Sequence, residues 1–172
     1  LDEYCVGHSS PHPSVYAEME INTRALIPSG SHMVSGSAQG RLLTQLASMT
    51  REGRILELGT FTGYATACLL EGAANVGRVI SGDTALTPST VGSRRNGGPF
   101  VMTMERDKKA YDVAVAQMKI FSELSKSEAA AEALCALRST KDVPAANEVS
   151  VSLKFDGVAG CELLLVTDAL AI

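Results

Sequence analysis

The chain has 172 residues, 45% hydrophobic and 20% charged, with a net charge of −4 and only four aromatic Phe and four Tyr against no Trp. That length fits one domain, and the composition is that of a globular chain able to bury a core. An acidic balance without a basic stripe argues against nucleic acid as the main partner. No apolar run approaches the ~20 residues of a membrane span, and the acidic start Leu1-Asp2-Glu3 lacks the features of a signal peptide. We therefore expect no membrane association and a cytoplasmic location. The chain begins without Met, so a fragment or processed form is expected.

Residues 1–14 carry His8, Pro11, His12 and Pro13, which discourage helix and read as a solvated turn, since no Cys or carboxylate cluster accompanies the histidines. Ser14 is a plausible cap for a helix to about Leu26, ended by Pro28. After the loop Val34 to Ser37, a helix from Ala38 to Met49 places Leu42, Leu43, Leu46, Ala47 and Met49 at helical spacing, the pattern of a core-facing stripe. Residues 1–50 thus read as N-terminal helices.

The run Ile55 to Leu58 predicts a short buried strand, ending at Gly59, with a second glycine at Gly63 and helical composition from Ala65 to about Ala74. Strand, glycine turn and helix let a backbone approach a ligand closely, at a helix start that offers free N–H groups. A dinucleotide fingerprint needs G-x-G-x-x-G. Here there are two glycines, and the strand ends in an acid, Glu57. An acid there repels pyrophosphate and suits a cationic ligand end, such as the amino group and sulfonium of S-adenosylmethionine. The pattern E-x-G-x-x-x-G counts against a nicotinamide-dependent oxidoreductase.

Residues 75–99 are rich in Gly, Ser, Thr, Asn and Pro and read as a surface insertion, with Arg78-Val79-Ile80 as a candidate strand start. Phe100 to Glu105 is a second strand, also ending in an acid, placed to accept ribose hydroxyls. Asp107 can cap a helix from Lys108 to about Leu124 with Tyr111, Ala114, Val115, Met118 and Phe121 on its apolar face. A helix from Glu128 to Arg138 follows, then an alternating strand from Glu148 to Phe155 and an apolar run from Cys161 to Leu165. The four cysteines form no C-x-x-C pair and read as reduced, buried thiols. The alternation of elements predicts an α/β fold with a mainly parallel sheet flanked by helices and a ligand at the carboxyl ends of its strands.

Four segments, in order, resemble one family. Met33-Val34-Ser35-Gly36 with Gln39-Gly40-Arg41-Leu42-Leu43, then Leu56-Glu57-Leu58-Gly59-Thr60-Phe61-Thr62-Gly63-Tyr64, then Thr103-Met104-Glu105-Arg106-Asp107, and Val166-Thr167-Asp168-Ala169-Leu170 are similar to motifs of the S-adenosylmethionine-dependent O-methyltransferases of the catechol and caffeoyl-CoA type. The resemblance implies a Rossmann-like class I methyltransferase fold over residues 1–172, incomplete at the C-terminus. It implies Met33 and Ser35 at the methionine end of the cofactor, Glu57, Gly59, Phe61, Gly63 and Tyr64 at the glycine loop, Glu105 on the ribose, and Arg106, Asp168 and Ala169 around the adenine. A serine common after the Gly-Tyr pair is replaced by Ala65. The resemblance further implies methyl transfer to a hydroxyl of a small, phenolic or catechol-like acceptor. A divalent cation, Mg, would assist, its ligands expected beyond Ile172. A homodimer is compatible with this family. The alternative is a truncated, non-catalytic protein that binds the cofactor or a partner chain.

Overall fold

The computed structural model describes residues 2–81, 98–124, 128–140, 143–155 and 159–166. Its elements are α1 (Asp2–Gly7), α2 (Ser14–Leu26), a 3-10 turn (Pro28–Met33), α3 (Ser37–Ser48), a second 3-10 turn (Arg51–Gly53), β1 (Arg54–Leu58), α4 (Tyr64–Ser81), β2 (Phe100–Glu105), α5 (Lys108–Leu124), α6 (Glu128–Thr140), β3 (Ser150–Phe155) and β4 (Ala159–Leu165). Among the described residues no helix is long and apolar enough to cross a membrane.

The strands form one sheet in the order β1-β2-β4-β3. β2 pairs in parallel with β1 and β4, and β3 returns antiparallel on the outer edge of β4. This is the expected α/β arrangement with a mainly parallel sheet and flanking helices. The register lines up Ile55, Val101, Cys161 and Leu153 in one row, and Glu57, Thr103, Leu163 and Val151 in the next. These rows belong to the face against which the helices pack, in a core shared with Tyr16, Leu70, Tyr111, Met118 and Phe121. On the opposite face Leu56 and Leu58 stay 61% and 76% exposed. β3 shows the strict alternation of a strand wet on one side, with Ser152 and Lys154 outward and Val151 and Phe155 inward.

Several elements match the sequence reading. Asp107 caps α5, its Oδ1 accepting the Ala110 N–H at 2.8 Å, and Tyr111, Ala114, Val115, Met118 and Phe121 are all buried. Others differ. Residues 2–7 form a short helix, α1, rather than loop. α2 starts at Ser14 with Pro13 at the cap position and no side-chain capping bond. Residues 78–80 continue α4 to Ser81 instead of starting a strand. Once a helix is nucleated each added residue gains a hydrogen bond, which outweighs the strand preference of Val and Ile. The expected insertion at 75–99 is therefore helical in its first seven residues; its positions 82–97 lie outside the described residues.

The largest difference concerns α3. Leu42, Leu46 and Met49, expected in the core, are exposed, while Gly40, Thr44 and Ala47 are buried. The cause is the closeness of α3 to α4. A Cβ on Gly72 would stand 2.5 Å from the Ala47 Cβ and 3.1 Å from the Ser48 nitrogen. Only small residues fit between backbones this close, so Leu42, Leu46 and Met49 turn outward, while Ala47 is buried and Leu43 packs against the core as expected. Thr44 uses the short gap to donate from Oγ1 to the Cys68 carbonyl at 3.1 Å. All four cysteines are free thiols. Cys68 and Cys161 are buried as expected, and burial pushes both thiols up to about 12, whereas Cys135 is exposed.

Candidate functional site

The loop between β1 and α4 turns through three left-handed residues, Gly59 (φ 97°), Phe61 (φ 50°) and Gly63 (φ 89°). Two are glycines because an L side chain is strained there. Phe61 tolerates its conformation because the loop is held at many points. The Gly59 and Thr60 N–H groups both donate to the Met104 carbonyl, at 2.9 and 3.0 Å, and Gly63 N–H closes the turn onto the Thr60 carbonyl at 3.0 Å. Gly63 is also needed for space, since a Cβ would lie 2.9 Å from Met118 Cγ on α5.

Beneath the loop runs a buried hydroxyl network. Thr66 and Thr103 donate to Glu57 Oε2 at 2.5 and 2.6 Å. With its proton so engaged, Thr103 Oγ1 accepts from Thr60 at 2.6 Å. Thr23 on α2 donates to the Met19 carbonyl at 2.9 Å, so the 2.6 Å contact with Thr62 is a bond donated by Thr62. Gln117 Nε2 on α5 donates to the Thr62 carbonyl at 2.9 Å. Thr23, Thr60, Thr62, Thr66, Thr103 and Gln117 are all buried. The loop is thus pinned to α2, α5 and β2 together.

Thr23→Val should leave the Thr62 hydroxyl without an acceptor and destabilise the chain by about 1–3 kcal/mol. The Thr23→Val/Thr62→Val double variant should lose less than the sum of the singles, because removing both partners of a buried bond is nearly neutral. Urea denaturation of the three variants checks both statements.

The two strand-end acids have different surroundings. Burial raises the pKa of Glu57 above its usual value; the Thr103 and Thr66 hydroxyls pull the other way, and nearby Glu105 adds to the rise. Glu105 sits at the rim, where Oε2 accepts the Phe61 N–H at 2.6 Å and Oε1 accepts the Arg106 and Asp107 N–H groups at 2.8 Å each. Among the described residues no ion pair forms at either acid. Two carboxylates near one loop, without a described cation between them, make a site that favours positive charge and hydroxyl donors.

A cleft of about 110 Å³ opens above the loop, lined by Met33, Val34 and Ser35 on one side and by Gly59, Thr60, Phe61, Thr62, Tyr64 and Ala65 on the other. Of the residues singled out from sequence, Met33, Ser35, Gly59, Phe61 and Tyr64 therefore meet at one cleft. Glu57 lies below it, Glu105 bonds its Phe61, and Gly63 faces Met118 rather than the opening. Arg106 is exposed, and its backbone N–H helps hold Glu105. Asp168 and Ala169 lie outside the described residues. The sequence reading missed the threonines and Gln117, whose partners lie far away in the chain and leave no local signal.

No family model matches the chain. It is 36% identical over 77 residues to O-methyltransferase ankF of Aspergillus thermomutatus, covering 45% of this chain and 32% of that protein. It is 40% identical over 72 residues to O-methyltransferase hkm8 of Aspergillus hancockii, covering 42% of this chain and 29% of that protein. The chain spans about a third of the length of these curated relatives. Solved structures with a similar course include the O-methyltransferase from Bacillus cereus in complex with SAH (20% identity, TM-score 0.47, 95% of this chain and 49% of that one) and the SAH-bound Podospora anserina methyltransferase PaMTH1 (15% identity, TM-score 0.42, 88% and 87%). Over the part it shares with its curated relatives, the chain is similar in sequence to O-methyltransferases.

Proposed function

We propose that this chain carries the methyl-donor side of an S-adenosylmethionine-dependent O-methyltransferase acting on a hydroxyl of a small, phenolic or catechol-like acceptor. The observation that supports this most is the pair of acids at the carboxyl ends of β1 and β2, set around a left-handed glycine loop and beside a cleft. When bound, S-adenosylmethionine supplies an electrophilic methyl group, which the acceptor oxygen takes as the C–S bond breaks, leaving S-adenosylhomocysteine and a proton.

The chain's own residues then have distinct tasks. Glu57 is oriented by two threonine hydroxyls and meets the cationic amino end of the cofactor. Glu105 meets the ribose hydroxyls; a carboxylate offers about four acceptor positions, and three N–H bonds leave one free. The first ribose hydroxyl takes that position on Oε2, and the second shares the one held by the Phe61 N–H. Gly59, Phe61 and Gly63 shape the loop, Met33, Ser35 and Tyr64 wall the cleft, and Arg106, Asp168 and Ala169 serve the adenine. Ala65 on the cleft wall offers no hydroxyl to the cofactor carboxylate. Among the described residues no group of three or more His, Cys, Asp and Glu is placed to hold a metal ion.

Calorimetric titration of the chain with S-adenosylhomocysteine tests this reading. Saturable one-site binding, weakened at least tenfold by Glu105→Ala and absent for NAD, is the expected result; tenfold corresponds to about 1.4 kcal/mol, within the worth of hydrogen bonds to a charged group. A folded chain that ignores S-adenosylhomocysteine would rule the reading out.

A further inference from the structure

Behind the cleft, the stretch joining α1 to α2 closes against α3 and α4. Arg41 on α3 donates from Nε to the Ser10 carbonyl at 3.0 Å and from Nη2 to the Pro11 carbonyl, which holds the chain just before His12. The His12 ring stacks on Tyr16, with centroids 4.6 Å apart and planes at 26°. It occupies a slot opened by Gly40, where a Cβ would stand 2.9 Å from His12 Cε1 and 3.1 Å from Tyr64 Cε1. His12 Nδ1 lies 3.3 Å from the Tyr64 hydroxyl. Its Nε2 is shut off from solvent and has no hydrogen-bond partner among the described residues. Tyr64 opens α4 and walls the cleft. His12 therefore touches the cleft wall from behind, which is not the solvated turn expected from sequence.

We propose that His12 is a positioning residue for the candidate cofactor site: as a neutral imidazole it fixes the Tyr64 side chain, and proton uptake expels the ring from its slot and slackens the cleft. The proposal rests on the cofactor reading above. The groups facing the ring are Tyr16 from α2, Arg41 from α3, and Tyr64, Cys68 and Glu71 from α4. Burial, then the Arg41 charge, lower the His12 pKa below its ordinary 6.5, while Glu71 pulls it upward. Glu71 also accepts the Tyr16 hydroxyl at 2.6 Å, which ties that carboxylate to the tyrosine stacked on the ring. Above 6.5 the ring is neutral whether docked or free. As the pH falls through 6.5, the free ring takes a proton and the docked ring resists, so undocking gains free energy until the lower docked pKa is passed.

The test is calorimetric titration with S-adenosylhomocysteine from about pH 8 to about pH 5, on the whole chain and on His12→Gln and Tyr64→Phe, where the linked affinity can change by up to about tenfold per pH unit. The expected result is an acid limb in the parent chain, with affinity falling several-fold below about pH 6.5. His12→Gln should bind more weakly at pH 8 and show a shallower limb, the part left by protonation of Glu57, because the amide keeps an acceptor but cannot titrate. Tyr64→Phe leaves the imidazole in place and should also flatten the profile, so it carries the test if His12→Gln does not fold. An unchanged acid limb in either folded variant overturns the proposal and leaves the cofactor reading standing. A folded parent chain that binds at no pH overturns both.

Discussion

Glu57→Gln should abolish tight binding of S-adenosylhomocysteine while making the unliganded chain more stable. The carboxylate is half-buried beneath the loop, and desolvation is the largest cause of its raised pKa. A folded-state pKa above the unfolded 4.5 means that the ionised form opposes folding at neutral pH. That opposition is relieved as the pH falls through the raised value towards 4.5. An amide removes the charge at every pH and keeps an oxygen for the Thr66 and Thr103 hydroxyls, which lie 2.5 and 2.6 Å from Glu57 Oε2. The urea midpoint should rise, and the pH dependence of stability between neutrality and pH 4.5 should become flatter than in the parent.

Binding should move the other way. Loss of a charge-assisted hydrogen bond to the amino end of the ligand costs about 1.5–3 kcal/mol, or about ten- to a hundredfold in affinity. Glu57→Ala separates these effects. It loses binding too, but strands two buried hydroxyls and should destabilise the fold by about 2 kcal/mol or more. If Glu57→Gln binds S-adenosylhomocysteine as tightly as the parent, Glu57 is a structural acid and the assignment of the cationic end is wrong.

Gly72→Leu should prevent folding, and Gly72→Ala should already cost about 1–3 kcal/mol. Alanine is the better helix former by about 1 kcal/mol, so propensity alone predicts a gain. Packing reverses the sign. The atoms that a Cβ would meet are the Ala47 Cβ at 2.5 Å, the Ser48 nitrogen at 3.1 Å and, closer still, the Thr44 carbonyl oxygen. Two of these are backbone and the third is a side chain with no rotamer to change, so α3 has to move as a body. That movement would stretch the Thr44 bond to the Cys68 carbonyl and displace Gly40, which makes the slot for His12. Gly7→Ala is the matched control: nothing lies within 4 Å of its Cβ position, and the urea midpoint should stay within the error of the parent. A Gly72→Ala variant as stable as the parent would mean that α3 and α4 can separate without loss.

Much of the site is local in origin and so could be read from the chain. β1, the glycine loop and the start of α4 are consecutive in sequence, and the left-handed φ of Gly59 and Gly63 is what two glycines at that spacing permit. Asp107 caps α5 because its carboxylate reaches an N–H three residues on. The apolar face of α5 is buried as its periodicity predicts. In each case the interaction is between near neighbours, or the pattern is long enough for its average to decide.

What the amino-acid order determined by itself was therefore the alternation of helices and strands, an acid near the carboxyl end of β1 and another at that of β2, and the turn between β1 and α4. Only the tertiary structure decided which side of α3 faces inward. Periodicity marks a stripe of Leu42, Leu43, Leu46, Ala47 and Met49, but a glycine on the opposing helix brings the backbones close and turns the helix so that Gly40, Thr44 and Ala47 face inward while Leu42, Leu46 and Met49 do not. It also decided what surrounds the acids. Thr103 reaches Glu57 across 46 positions, Thr62 reaches Thr23 across 39, and His12 meets Tyr64 across 52. Such bonds depend on distances between elements that are set by packing, and no local pattern of residue types encodes them.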